Sequence, residues 1–424
     1  MKTFKSLIFL FILSSVIFSC NKDKNDNAHV EYVNSQIYDM MKQVYLWNDY
    51  IPYNLDPADY STPAKFMEAL RYKQYDHWST VLTEEEYNSY FTEGQMIGHG
   101  FMVGLDADNN FRIAFVYNNT QAQQEGVRRG WILSKVNNKT VTVDNFSTLF
   151  GADKVGVTNN FTFIDNGGQQ VTLSLAKEEI NLTPVLHSEV INRSGKKIGY
   201  IVFQDFIETA NQELDTAFTT FKNAGIDELV VDMRYNGGGA VTVAEHLAGW
   251  LIGKNEGGQP FIYYEHNAIL SKAPYSMDTM YTVPAKADGL DMSRIFFIGT
   301  SNTASASELI INGVKPFITT VLAGSPTHGK PVGMYAIPIE DYFTLPVCFK
   351  YSNKNHEGNF YNGLTPDLPA DDDITKDWGN PEETSLKAIL DYIDNGTAKS
   401  TKSTGFGPRI LESHKPLGQF LRAI

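Results

Sequence analysis

Twice along this chain a short run of branched apolar residues ends in small residues and resumes as a helical pattern. This repeated strand–loop–helix crossing limits the fold more than any other feature. In the first case Glu228-Leu229-Val230-Val231-Asp232-Met233-Arg234 passes into Tyr235-Asn236-Gly237-Gly238-Gly239, and Val243, Leu247, Trp250 and Leu251 follow at helical spacing. In the second, Ile295-Phe296-Phe297-Ile298 stops at Gly299-Thr300, and Leu309, Ile310 and Val314 then recur with a helical period. Val185–Val190 and Ile198–Phe203 read as further strands, and Asn211–Phe221 as a helix. Pro381-Glu382-Glu383 opens a final helix carrying Leu386, Ile389, Leu390 and Ile393. Alternating strands and helices predict an α/β unit over residues 181–395.

The loops of these crossings carry residues with chemical potential. Asn302-Thr303-Ala304-Ser305-Ala306-Ser307-Glu308 puts Ser305 at a strand-to-helix turn, and Thr327-His328-Gly329-Lys330 follows downstream. A serine hydroxyl is a poor nucleophile until a neighbouring base takes its proton, and a desolvated neutral lysine can be that base. The helix N-terminus presents free N–H groups and partial positive charge, so the Ala306 N–H could hold an oxyanion. Three successive glycines allow close backbone approach, and Gly238 or Gly239 could supply a second donor. A purely structural reading competes, because Ser305-x-x-Glu308 also matches a helix capping box.

Taken in order, four motifs resemble the S41 family of carboxyl-terminal processing, or tail-specific, serine peptidases. They are Asp232–Gly239, Thr303–Glu308, Gly329-Lys330 and Gly363-Leu364-Thr365-Pro366-Asp367. The resemblance covers roughly residues 30–395. It implies that Ser305 is the nucleophile, that Lys330 is the general base, and that the Ala306 N–H with that of Gly238 or Gly239 forms the oxyanion hole. It also implies a ββα catalytic domain of the crotonase/ClpP-like type. One position departs from the pattern. Many relatives carry glutamine four residues after the lysine, where this chain has Met334. Glu308 reads more simply as a capping or structural carboxylate, and His328 as a turn residue.

Residues 31–93 predict an N-terminal helical module. Val33, Ile37, Met40, Met41, Val44 and Trp47 share one helical face, Thr62-Pro63 reads as N-cap and N1, and Thr83-x-x-Glu86 as a capping box. Residues 94–180 turn β-rich and resemble a PDZ domain in Ile97–Val103 and in Glu125–Asn137. In that likeness Gly98, His99, Gly100, Phe101 and Met102 bind substrate: the loop holds a peptide's terminal carboxylate while its last residues add a strand. Asn118-Asn119-Thr120-Gln121-Ala122 replaces the usual small-residue turn. A β-domain that only braces the catalytic unit is the alternative.

Residues 1–20 read as a leader, with a basic start, an apolar stretch over Ser6–Phe18 and the lipobox-like Ile17-Phe18-Ser19-Cys20. Cys20 would become the lipidated first residue and residues 21–30 a polar tether, with an ordinary cleaved signal as the alternative. The expected location is the cell envelope, anchored in the outer membrane and facing the periplasm or the cell surface. The chain holds two cysteines. With Cys20 lipidated, Cys348 has no intrachain partner and reads as a small buried hydrophobe. Residues 396–424, rich in Gly, Ser, Thr and Lys, read as a mobile tail.

A formal charge of −14 argues against nucleic acid as a partner. The nine histidines form no metal-ligand spacing, and no nucleotide fingerprint appears, so neither metal nor cofactor is expected. The expected fold is multidomain α/β. The expected function is a lipid-anchored serine endopeptidase acting on polypeptides with unstructured or apolar C-termini. A catalytically silent peptide-binding lipoprotein, or a binder of another ligand on a recycled protease fold, would differ in lacking turnover. Oligomeric state is not legible. On the lipobox reading, Cys20→Ser should shift the protein from the membrane to a soluble or unprocessed form. Fractionation and mass spectrometry of the mature N-terminus check this, and unchanged fractionation with no lipid adduct would defeat it.

Overall fold

The computed structural model describes residues 22–396 and 409–411, so the leader and Cys20 lie outside the described residues. At its centre is a six-stranded sheet. Its order is Val185–Arg193, Lys196–Phe203, Glu228–Asp232, Arg294–Gly299, Thr319–Gly324 and Leu368–Pro369. The first pair is antiparallel and the later pairs are parallel. The central strand Glu228–Asp232 is buried throughout, as expected for a strand covered on both faces. Ile201, Val231 and Phe297 point to one face, where helices Ala210–Ala224, Val241–Glu256 and Ala306–Val314 add Phe218, Leu247, Trp250, Leu309 and Ile310. Tyr200, Val230, Phe296 and Ile298 point to the other face and meet Leu386, Ile389 and Leu390 of helix Thr384–Asn395. This is the two-residue alternation of a strand acting on both sides of one sheet. The final helix starts three residues later than the proline suggests, because the Glu383 side chain is its N-cap and accepts the Leu386 N–H at 2.9 Å.

Parallel pairing has a direct consequence for function. Glu228–Asp232, Arg294–Gly299 and Thr319–Gly324 are neighbours in register, with Asp232 opposite Ile298 and Gly299 opposite Gly324. Their C-terminal ends therefore share one edge, where sheets of this kind bind ligands. The glycine loop, the serine loop and the lysine loop leave the sheet there in turn. A second sheet, in the order Thr279–Thr282, Pro260–His266, Val347–Asn353 and Val332–Met334, lies against the same core and carries Tyr351.

The N-terminal module is helical but not separate. Val33, Ile37 and Met41 pack with Phe66 and Leu70, and also with Val332 and Val347 of the α/β unit. Strand Thr80–Thr83 pairs antiparallel with Tyr342–Leu345. The Thr62 N-cap and the reciprocal Thr83–Glu86 capping box are both formed. The first helix spans Lys22–Val44 and thus runs through the stretch expected to be a tether. Once its packed face nucleates the helix, adding turns N-terminally costs little.

The β-rich module is an antiparallel sheet of Phe101–Leu105, Phe111–Val116, Ile132–Val136, Thr158–Ile164 and Gln170–Ala176. The tail departs from expectation. Arg409–Leu411 forms a strand on the outer edge of this sheet, antiparallel to Phe101–Leu105.

Module and α/β unit are joined by a buried charge network. Arg234 is held by Asp232 (2.7 Å), Asp372 (2.8 Å) and Glu383 (2.8 Å). Arg129, from the module, meets Asp372 at 2.8 Å, donates to the Ala114 carbonyl at 2.6 Å and lies 4.1 Å from the Trp378 ring centre. The Tyr235 hydroxyl donates to Asp372 at 2.5 Å, and that of Tyr200 to Asp232 at 2.8 Å. Burial pushes Asp372 up, but Arg234 and Arg129 overcome it and hold the carboxyl below the usual range. Removing one member strands its partners in low dielectric. Arg234→Met should therefore cost on the order of 3–5 kcal/mol in urea unfolding, and a loss within 0.5 kcal/mol would contradict the network's role.

Candidate active site

Ser305 sits where the Arg294–Gly299 strand has turned toward helix Ala306–Val314, as its N-cap. Its backbone has φ 56° and ψ −115°, a conformation L residues rarely adopt and one that costs about 1–3 kcal/mol. Three bonds fix it. The Ser305 N–H donates to Glu308 at 3.1 Å, and the Ser305 carbonyl accepts from the Leu309 N–H at 2.8 Å and the Tyr351 hydroxyl at 3.1 Å. The expected capping pattern is thus present, and it holds the serine in a strained turn.

Glu308 does more than cap. It is fully buried and also accepts from the Thr327 hydroxyl (2.6 Å), the Gly329 N–H (2.6 Å) and the Lys330 N–H (2.8 Å). One carboxylate therefore ties the serine turn to the lysine loop. Tyr351 ties them a second time, since its hydroxyl also lies 3.0 Å from the Lys330 carbonyl. Burial pushes Glu308 up in pKa, while these donors pull it back.

Lys330 is buried, and desolvation pushes its amine down to about 7, with Asp76 and Glu308 pulling the other way. Nζ lies 4.0 Å from the Met334 sulfur and 5.8 Å from the centre of the Trp78 ring. At the position where the sequence departs from the expected glutamine, the amine thus meets a soft thioether. The Trp78 indole N–H donates to His328 Nε2 at 3.1 Å. Indole can only donate, so Nε2 accepts and Nδ1 carries the proton toward the Ser301 carbonyl at 3.3 Å. Burial, then the charge on Lys330, lowers the His328 pKa. The histidine braces the wall of the lysine site.

The glycine loop meets the serine loop through Asn236. Its carbonyl accepts from the Ala304 N–H and the Ser307 hydroxyl, both at 3.0 Å. Its side-chain oxygen accepts the Gly238 N–H at 2.9 Å. Gly238, at φ 107°, comes so close that a Cβ there would lie 2.7 Å from Ser305 Cβ and 3.0 Å from the Ala306 nitrogen. Gly238 thus clears space beside Ser305 while its own N–H is engaged. Gly239, at φ 132°, packs against the Phe206 carbonyl.

The other sequence-derived positions lie elsewhere. Gly98, His99, Gly100, Phe101 and Met102 belong to the β-rich module. His99 is buried beside Asn159 and Phe161, Phe101 lies in the module core, and Met102 faces the cluster shared with the catalytic sheet. A Cβ on Gly100 would come within 2.6 Å of Thr120. Cys348 is buried and its thiol is pushed up to about 12, consistent with an inert core residue. Among the described residues no cluster could hold a metal ion, and no helix is long and apolar enough to cross a membrane. Sequence reading missed Asp76, Trp78, Asn236 and Tyr351. Only Asn236 had a signal, its place inside the glycine motif.

A serine at a helix N-terminus and a buried low-pKa lysine, on loops at one edge of a parallel sheet, fit the serine-type peptidase class that the family matches show. The chain belongs to peptidase family S41. The model described as "Peptidase family S41" matches residues 197–370, and "Peptidase S41 N-terminal domain" matches residues 32–80. A carboxyl-terminal-processing protease of Synechocystis is 22% identical over 351 residues, covering 80% of this chain and 78% of the relative. A probable CtpA-like serine protease of Staphylococcus saprophyticus is 23% identical over 350 residues, covering 80% and 66%. Among solved structures, a putative S41 protease from Bacteroides fragilis superposes with TM-score 0.69 at 21% identity, over 86% of this chain and 97% of the other. The photosystem II D1 C-terminal processing protease gives 0.51 at 17% identity, over 80% and 93%.

The buried amine makes a stability prediction. Its folded pKa of about 7 lies below the ordinary value of about 10.4, so the unfolded chain binds the extra proton. The penalty is full below pH 7 and fades as pH rises toward 10. Lys330→Met should therefore melt at a higher temperature than wild type at pH 6, with the gap closing by pH 10. Calorimetry across that range checks it, and a pH-independent gap would contradict the burial argument.

Proposed function

We propose that the chain is a serine endopeptidase of the carboxyl-terminal processing type working with a Ser305–Lys330 dyad. The observation that carries this reading is the buried Lys330 amine, its pKa pushed down to about 7, tied to a strained Ser305 through Glu308 and Tyr351. Neutral Lys330 takes the Ser305 hydroxyl proton as Oγ attacks the peptide carbonyl. The resulting oxyanion is held by the Ala306 N–H and a glycine N–H, for which Gly239 is the better candidate because Gly238 donates to Asn236. The protonated lysine then gives its proton to the leaving amine, and water hydrolyses the acyl-enzyme by the reverse sequence of proton transfers.

The β-rich module reads as a PDZ-like peptide binder that presents substrates with a free, apolar C-terminus. Its short Gly98–Gly100 connection followed by the Phe101–Leu105 strand, beside which only the three-residue tail strand lies, supports this. Relatives named for carboxyl-terminal processing point the same way. Exported proteins or peptides of the cell envelope are the proposed substrates, and Cys20 the proposed membrane anchor.

Ser305→Ala should abolish hydrolysis of an unstructured peptide while leaving the circular dichroism spectrum unchanged. In wild type, kcat/KM should rise with pH through about 7 as Lys330 loses its proton, then level off. Lys330→Arg should not restore the rate, since arginine stays charged. Wild-type turnover by Ser305→Ala would overturn the nucleophile assignment, and a flat pH profile the lysine base.

A further inference from the structure

The strand that follows the Gly98–Gly100 loop of the β-rich module has a partner from the tail. Arg409–Leu411 pairs antiparallel with the strand after the Gly98–Gly100 loop, in the register Arg409 opposite Leu105, Ile410 opposite Gly104 and Leu411 opposite Val103. The direction is informative. Each step toward the C-terminus of the tail strand is a step toward Phe101 and the loop, so the tail has the polarity of a peptide whose carboxyl end heads there.

Side chains follow the strand period. Ile410 packs on the cluster that Met102, Ala114 and Phe115 share with the catalytic sheet, and Leu411 on the module core with Val103, Phe146 and Phe161. Arg409 is exposed. Two adjacent apolar residues thus fill both sides of the groove, as an extended apolar peptide would.

We propose that Arg409–Leu411 is a built-in ligand of this groove, and that a polypeptide substrate must displace it to dock. The proposal rests on reading the module as a peptide binder. The energetics favour exchange over permanent closure. Only three residues pair, and Ile410 and Leu411 are only partly buried, so the contact is weak. Tethering compensates, because a segment belonging to the same chain competes at an effective concentration on the order of millimolar. A substrate docks when its concentration relative to its own Kd exceeds the tail's effective concentration relative to the tail's Kd, so tight or abundant C-termini displace the tail and weak, dilute ones do not. The tail would then set a threshold on which C-termini reach Ser305.

The test uses the full chain in a Ser305→Ala background, so that its outcome does not depend on turnover. Three proteins are compared: the otherwise wild-type chain, a chain ending at Gly396, and the full-length Ile410→Asp/Leu411→Asp variant. Gly396 closes the last helix in a left-handed C-cap, so truncation there leaves that helix intact. The probe is a fluorescein-labelled synthetic peptide of residues 403–415, followed by anisotropy. We expect the truncated and double-Asp proteins to bind the probe at least tenfold more tightly than the intact tail allows. Hydrogen exchange over Phe101–Leu105 should rise on truncation and fall again when the probe is added. Equal affinities in the three proteins, or no binding to the truncated one, would overturn the proposal. Failure of the peptidase reading would appear separately, as unchanged hydrolysis by Ser305→Ala.

Discussion

The active-site geometry depends on one carboxylate. Glu308 is buried at the first turn of the serine helix and accepts from Ser305, Thr327, Gly329 and Lys330. Four donors on one carboxylate use its acceptor capacity fully, which makes burial of the charge tolerable. It holds Ser305 in a backbone conformation the residue would not choose, and it fixes the loop carrying Lys330. The strain at the serine is offset by bonds that exist only when both loops are in place. Folding and assembly of the site are therefore one event.

The lysine is placed by exclusion of water. Trp78 and His328 form one wall and Met334 another, and Asp76 contributes charge from the N-terminal module. Asp76 is itself held by the Tyr45 hydroxyl at 2.7 Å and by the N–H groups of Trp78 and Ser79 at 2.9 Å. The N-terminal module thus completes the electrostatic setting of a residue far along the chain. A buried amine near neutrality is costly to the fold, and the same desolvation leaves it in part unprotonated at ordinary pH.

A second carboxylate cluster performs the corresponding task for the domains. Asp232 and Asp372 belong to the catalytic unit, while Arg129 reaches them from the β-rich module. The glycine loop begins at the residue that closes this network, since Arg234 and Tyr235 lie between Asp232 and Gly237. The tail strand Arg409–Leu411 lies on the same module and touches both of its hydrophobic boundaries. Module, tail and catalytic loops are therefore in mechanical contact through packed and charged groups.

By itself the sequence determined the local elements and the motif positions. Apolar runs at Glu228–Asp232 and Ile295–Ile298, the caps at Thr62 and Thr83, and the helical face of Val33, Ile37 and Met41 all rest on neighbours in the chain, so periodicity reveals them. The extension of the first helix into residues 22–30 and the tail strand at 409–411 were not legible. The first propagates from a packed face further along the same helix, and the second needs a strand distant in sequence to pair with. The same limit applies to the site. Ser305, Lys330 and the glycines carry recognisable spacing, but Asp76, Trp78 and Tyr351 reach it from other elements. Only the tertiary structure decided that Glu308 clamps two loops, that Gly238 clears space while its N–H is engaged, and that Lys330 is dry enough to lose its proton. Desolvation and hydrogen-bond saturation arise from groups that the fold brings together, and they leave no periodic trace in the chain.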